Sequence, residues 1–92
     1  MTAKRILVID DEEGIRDLIT LSLEAHADWE ILTAASGLEG IAVAAAEHPD
    51  AIVLDMAMPD MDGRATLEQL QLNRATQNIP TILLTASAHL IP

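Results

Sequence analysis

Ile6-Leu7-Val8-Ile9-Asp10-Asp11 sets four consecutive aliphatic residues directly against two adjacent carboxylates. The pattern returns at Ala51-Ile52-Val53-Leu54-Asp55, and in a shorter form at Ile82-Leu83-Leu84-Thr85. The apolar residues run continuously instead of alternating with polar ones, as expected of strands buried on both faces in a parallel sheet covered by helices. Pro80 agrees with a strand opening beside it, because proline is tolerated at the start of a strand.

Helical periodicity fills the intervals. Between Glu13 and Ala25, the residues Ile15, Leu18, Ile19, Ser22 and Leu23 recur at helical spacing and predict a core-facing side, with Arg16, Asp17 and Glu24 away from it. A short second strand is expected over Glu30-Ile31-Leu32-Thr33-Ala34, with Trp29 just before it as a surface or hinge residue. Ser36-Gly37 breaks that strand and opens an alanine-rich helix from Leu38 to Glu47. Its predicted core side is Leu38, Ile41, Ala42 and Ala45, and His48-Pro49 ends it. Asp62 is placed to cap a third helix that runs through Leu67, Leu70 and Gln71 to about Asn73. The resulting order, β-α-β-α-β-α-β, specifies a parallel α/β sheet.

In such sheets ligands bind beyond the carboxyl ends of the strands, where Asp10, Asp11, Asp55 and Thr85 all fall. Crowded carboxylates repel: two unit charges about 4 Å apart cost roughly 4 kcal/mol at an effective dielectric near 20. The cluster therefore takes up a proton or binds a cation, and an all-oxygen donor set selects a hard ion, Mg2+ or Mn2+. A carboxylate beside such an ion can attack phosphorus and become an aspartyl phosphate, with the Thr85 hydroxyl and the metal holding phosphoryl oxygens. Blander readings exist for each part. Asp10-Asp11 alone would serve as a helix N-cap pair, Asp55 as a turn residue at a strand end, and Thr85 as a residue of high strand propensity. The shared strand-end position of all four favours the pocket.

Composition narrows the rest. The 92 residues make one domain, half of them hydrophobic, with a core that must be aliphatic because Trp29 is the sole aromatic residue. The absence of cysteine removes disulfides and thiolate metal sites. A formal net charge of −10 argues against nucleic-acid binding through this segment. The four-residue apolar run near the start is too short for a signal peptide or membrane span, so a cytoplasmic protein is expected. Asp60-Met61-Asp62-Gly63 echoes a calcium loop, but that register would put Met58 first and Gln69 twelfth, where a glutamate belongs. His26, His48 and His89 share no spacing suited to a metal, and Met56, Met58 and Met61 read as packing around the site loop.

Taken in order, Ile6-Leu7-Val8-Ile9-Asp10-Asp11-Glu12, Ile52-Val53-Leu54-Asp55-Met56-Ala57-Met58-Pro59-Asp60-Met61-Asp62-Gly63 and Ile79-Pro80-Thr81-Ile82-Leu83-Leu84-Thr85-Ala86 resemble the receiver domain of two-component response regulators. Gly37 and Pro49-Asp50 extend the resemblance over nearly the whole chain. It implies a flavodoxin-like, doubly wound parallel sheet of strand order 2-1-3-4-5. It implies that Asp55 accepts a phosphoryl group from a histidine kinase or phosphotransfer protein, and that Thr85 is the switch hydroxyl. It further implies that Asp10, Asp11, Asp55 and the backbone carbonyl of Ala57 hold Mg2+.

Receivers also carry a lysine at the end of a fifth strand, whereas the sole lysine here is Lys4, expected at the opposite end of the sheet. Residues 1–92 therefore read as a single receiver domain that is incomplete at its C-terminus, without the fifth strand and last two helices. The fourth strand would then be a sheet edge beside an uncovered apolar face, through which a homodimer is expected to form. An alternative reading is a receiver-like interaction module that is not phosphorylated. A small phosphohydrolase fits less well, because such enzymes commonly place a second carboxylate two residues after the nucleophile, where this chain has Ala57.

Overall fold

β1 (Lys4–Ile9) is an interior strand of a four-stranded parallel sheet, and its burial explains the unbroken apolar run. The computed structural model describes residues 4–25, 28–56 and 62–84. Along the chain follow α1 (Glu13–Glu24), β2 (Trp29–Ala34), α2 (Gly37–Glu47), β3 (Ala51–Asp55), α3 (Gly63–Leu72) and β4 (Thr81–Leu84). The strand order is β2-β1-β3-β4. Among the described residues this is the doubly wound receiver-like arrangement, with four strands and three helices.

Successive side chains of a strand point to opposite faces, so each apolar run feeds two cores. Leu7 and Ile9 join Ile52, Leu54, Ala34, Ala44 and Leu70 on the face covered by α2 and α3. Ile6 and Val8 join Val53 on the other face, under Ile19 and Leu23 of α1. Leu7, Ile9, Ile52 and Leu54 are wholly buried. The caps follow the expected chemistry. The Ser36 hydroxyl accepts from the Glu39 amide at 3.1 Å, and the Asp62 carboxylate from the Ala65 amide at 2.8 Å. His48 closes α2 in the left-handed region at φ 48°, just before Pro49.

Several expectations change. The predicted inner side of α1 reduces to Ile19 and Leu23, while Leu18 is 61% exposed and Ile15 and Ser22 also face out. In α2 the side that meets the sheet is Gly37, Gly40 and Ala44 with Ile41, and Leu38 is 65% exposed. Small residues decide this: a Cβ on Gly40 would lie 2.7 Å from Ile9 Cγ1, so the helix backbone presses onto the strand only where no side chain intervenes. Trp29 is the first residue of β2 and packs, half-buried, against the Ile6–Val8–Val53 cluster. β4 is not buried on both faces. It is an edge of the described sheet, and Ile82 is 58% exposed. Ile82 borders an apolar groove of 410 Å³ floored by Ile6, Ala51 and Val53 and walled by Leu23 and Trp29.

Lys4, the first residue of β1, pairs with Trp29, the first residue of β2, so it stands at the amino end of the sheet as expected. Arg5 beside it ties that end together. Its guanidinium donates to the Glu47 carbonyl at 2.6 Å and forms ion pairs with Glu30 at 3.1 Å and Glu47 at 2.6 Å. The hydrogen bonds and charges of Glu47 and Glu30 raise the guanidinium's already high pKa.

Candidate functional site

Strand register builds the site. Ile9 of β1 pairs with Leu54 of β3, so one residue further along Asp10 comes beside Asp55. Two backbone bonds carry the ladders past the strand ends: the Asp10 amide donates to the Ala34 carbonyl at 3.1 Å, and the Met56 amide to the Leu84 carbonyl at 3.0 Å. Carboxylate oxygens of Asp10, Asp11 and Asp55 consequently lie within 4.8 Å of one another. This is the carboxyl edge of the sheet, where ligands of parallel α/β folds bind.

The three acids differ in setting. Asp10 is 5% exposed, Asp55 is half-buried and Asp11 is exposed. Burial, foremost, pushes the Asp10 carboxyl above the usual carboxylate range. The Glu12 amide, donating to Asp10 Oδ1 at 2.9 Å, pulls the other way, and the charges of Asp55, Asp11 and Glu12 add to the upward shift. The N-cap of α1 is Glu12, which makes no side-chain capping bond, so Asp10-Asp11 is not a helix-cap pair. All three candidate donors are carboxylate oxygens, and a small divalent cation would relieve their mutual repulsion. The donor set fits a hard metal ion.

Two further residues shape the pocket. Gly63 opens α3 against the strand end: its amide donates to the Met56 carbonyl at 3.1 Å, and a Cβ there would fall 2.6 Å from the Asp55 carbonyl oxygen. Arg16, assigned by periodicity to the side of α1 away from the core, reaches back instead. Its Nη1 donates to the Asp10 carbonyl at 2.8 Å. The signal was its place one turn into a helix that starts beside an acidic pair. Thr85 and Ala57 lie outside the described residues, as do His26, His89, Met58 and Met61.

The response regulator receiver domain family matches residues 6–91. The chain belongs to this family. Its receiver sequence is 39% identical over 82 residues, or 89% of the chain, to the DNA-binding dual master transcriptional regulator RpaA of a Synechocystis species. It is 40% identical over 83 residues to the alkaline phosphatase synthesis transcriptional regulatory protein PhoP of Bacillus subtilis, covering 90% of the chain. Among solved structures, the N-terminal domain of a response regulator receiver protein from Methanoculleus marisnigri superposes with a TM-score of 0.85 at 40% identity, covering 89% of the chain. The chemotaxis response regulator CheY4 of Vibrio cholerae gives a TM-score of 0.86 at 30% identity over 95% of the chain.

The receiver spans 34% of the Synechocystis regulator and 33% of the Bacillus one. It spans 66% of the Methanoculleus chain and 72% of the Vibrio chain. Receivers of this family are signalling proteins of two-component systems, not classical enzymes, and interact with histidine kinases or phosphotransfer proteins. Among the described residues no helix is long and apolar enough to cross a membrane.

Proposed function

We propose that this receiver is a phosphoacceptor switch in which Asp55 takes a phosphoryl group from a histidine kinase or phosphotransfer protein. The convergence of Asp10, Asp11 and Asp55 within 4.8 Å at the sheet edge carries the reading. Asp10, Asp11 and Asp55, with the Ala57 carbonyl, would hold Mg2+, which supplies positive charge for the phosphoryl oxygens. A carboxylate oxygen of Asp55 attacks phosphorus. The new O–P bond forms as the P–N bond of a phosphohistidine donor breaks, and the imidazole keeps the electron pair and picks up a proton. The phosphorylated aspartate brings about −1.5 to −2 charge into an already acidic pocket. The Thr85 hydroxyl moves to bind it, and that movement is the switch.

A second copy of the chain docks at the β4 edge, supported by the exposure of Ile82, Leu83 and Leu84 there. Light scattering at micromolar concentration is expected to show a dimer, and a clean monomer would refute it. The net charge of −10 supports a switch that binds no nucleic acid through this segment.

The test is incubation with Mg2+ and a small phosphodonor, followed by intact mass. One phosphoryl group is expected on the wild type and none on Asp55→Asn. Unmodified wild type would instead favour a receiver-like interaction module that is never phosphorylated. Equal labelling of Asp55→Asn would remove Asp55 from the chemistry.

A further inference from the structure

Asp11 and Asp10 sit on a tight turn between β1 and α1, so the aim of both carboxylates depends on the backbone of residues 10–12. Three hydrogen bonds brace that turn. The Glu12 amide donates to Asp10 Oδ1 at 2.9 Å, the Arg16 amide to the Glu12 carbonyl at 3.0 Å, and Arg16 Nη1 to the Asp10 carbonyl at 2.8 Å. The first two are local bonds that many residues at positions 12 and 16 would make. The third needs a long cationic side chain, and Arg16 is half-buried as it reaches back across the helix start.

We propose that Arg16 is a positioning residue of the acidic pocket, holding the Asp10 carbonyl so that the carboxylates of Asp10 and Asp11 converge with Asp55 on a divalent cation. The proposal rests on the metal-binding reading of the pocket. In this role Arg16 is not itself a ligand of the cation; it acts through the Asp10 carbonyl that it grips. Charge and positioning make opposite demands, which separates them. Removing a cation near the pocket leaves it more negative, so electrostatics alone tightens divalent-ion binding. Releasing the turn loosens two of the three carboxylate ligands, and loss of such a supporting contact typically weakens metal binding by about 10–100-fold.

Mg2+ affinity of the whole chain, read by titration calorimetry and by amide shifts of Asp11 and Asp55, decides between them. Arg16→Met is expected to bind Mg2+ at least about 10-fold more weakly than wild type. Arg16→Lys, which keeps a charged donor, is expected to recover most of the loss. Because α1 packs on the sheet through Ile19 and Leu23, Arg16→Met should fold, as urea unfolding will show. Should it not, Arg16→Gln, a neutral and shorter donor, carries the same comparison. Affinity in Arg16→Met equal to or tighter than wild type overturns the proposal, as does a lysine variant no better than the methionine one. If wild type itself binds no Mg2+, the reading of the pocket falls and the role of Arg16 with it.

Discussion

Asp10→Asn should make the metal-free protein more stable, although it alters a nearly buried residue at the centre of the site. Asp10 has carboxylate oxygens within 4.8 Å of those of both Asp11 and Asp55. At that separation each pair of charges repels by about 3.5 kcal/mol at an effective dielectric of 20 and about 0.9 kcal/mol at that of water. Asp11 is exposed and screened, which favours the lower figure for its pair. Asparagine removes both repulsions and the cost of burying a charge, while its Oδ1 still accepts the Glu12 amide. The net gain is expected at about 1–3 kcal/mol, a rise in Tm of at least roughly 4 °C for a domain of this size.

The sign with pH follows from the same shift. The folded-state pKa of Asp10 lies above its ordinary value of 3.8. The contribution of Asp10 to wild-type stability is therefore fully present below that value and is lost as pH rises through the raised pKa. The advantage of Asp10→Asn should grow across that interval and then level off. Mg2+ at 100 times Kd stabilises a binding protein by about 2.7 kcal/mol, and the variant should lose most of that response. Urea unfolding at several pH values, with and without Mg2+, measures each part. A metal-free Asp10→Asn less stable than wild type at pH 7, or one with an undiminished Mg2+ response, would refute the account of a repulsive, cation-seeking pocket.

Two glycines give sharper tests of the packing behind the site. Gly63→Ala places a Cβ 2.6 Å from the Asp55 carbonyl oxygen, against backbone that must shift. It is expected to cost about 1–3 kcal/mol and to weaken Mg2+ binding as well, both checked by urea unfolding and calorimetric titration; full stability with unchanged affinity would contradict the close approach. Gly40→Ala drives a methyl group to 2.7 Å from Cγ1 of the wholly buried Ile9. The clash should outweigh the roughly 1 kcal/mol that alanine gains in helix propensity, giving a net loss of stability with Mg2+ affinity unchanged.

The fold was largely legible because its signals are local. Unbroken aliphatic runs ending in acids marked β1 and β3, Ser36 and Asp62 announced their helices, and His48-Pro49 marked a stop. Errors concentrated where periodicity had to choose a side. Leu38 has the periodicity of a core residue of α2, but the side pressed to the sheet is centred on Gly37, Gly40 and Ala44, flanked by Ile41. Leu18 fitted the stripe of α1, but only Ile19 and Leu23 reach the sheet.

What the sequence determined by itself was the strand-end acids and their order in the chain, since strand, turn and helix propensities act over a few residues. What the tertiary structure decided was their meeting. The β1–β3 register brings Asp10 alongside Asp55 across 45 residues of chain. The burial that raises the Asp10 pKa exists only once helices cover the sheet. The grip of Arg16 on the Asp10 carbonyl is likewise a fact of three dimensions, because helical periodicity places a side chain on a face and says nothing about how far it reaches back.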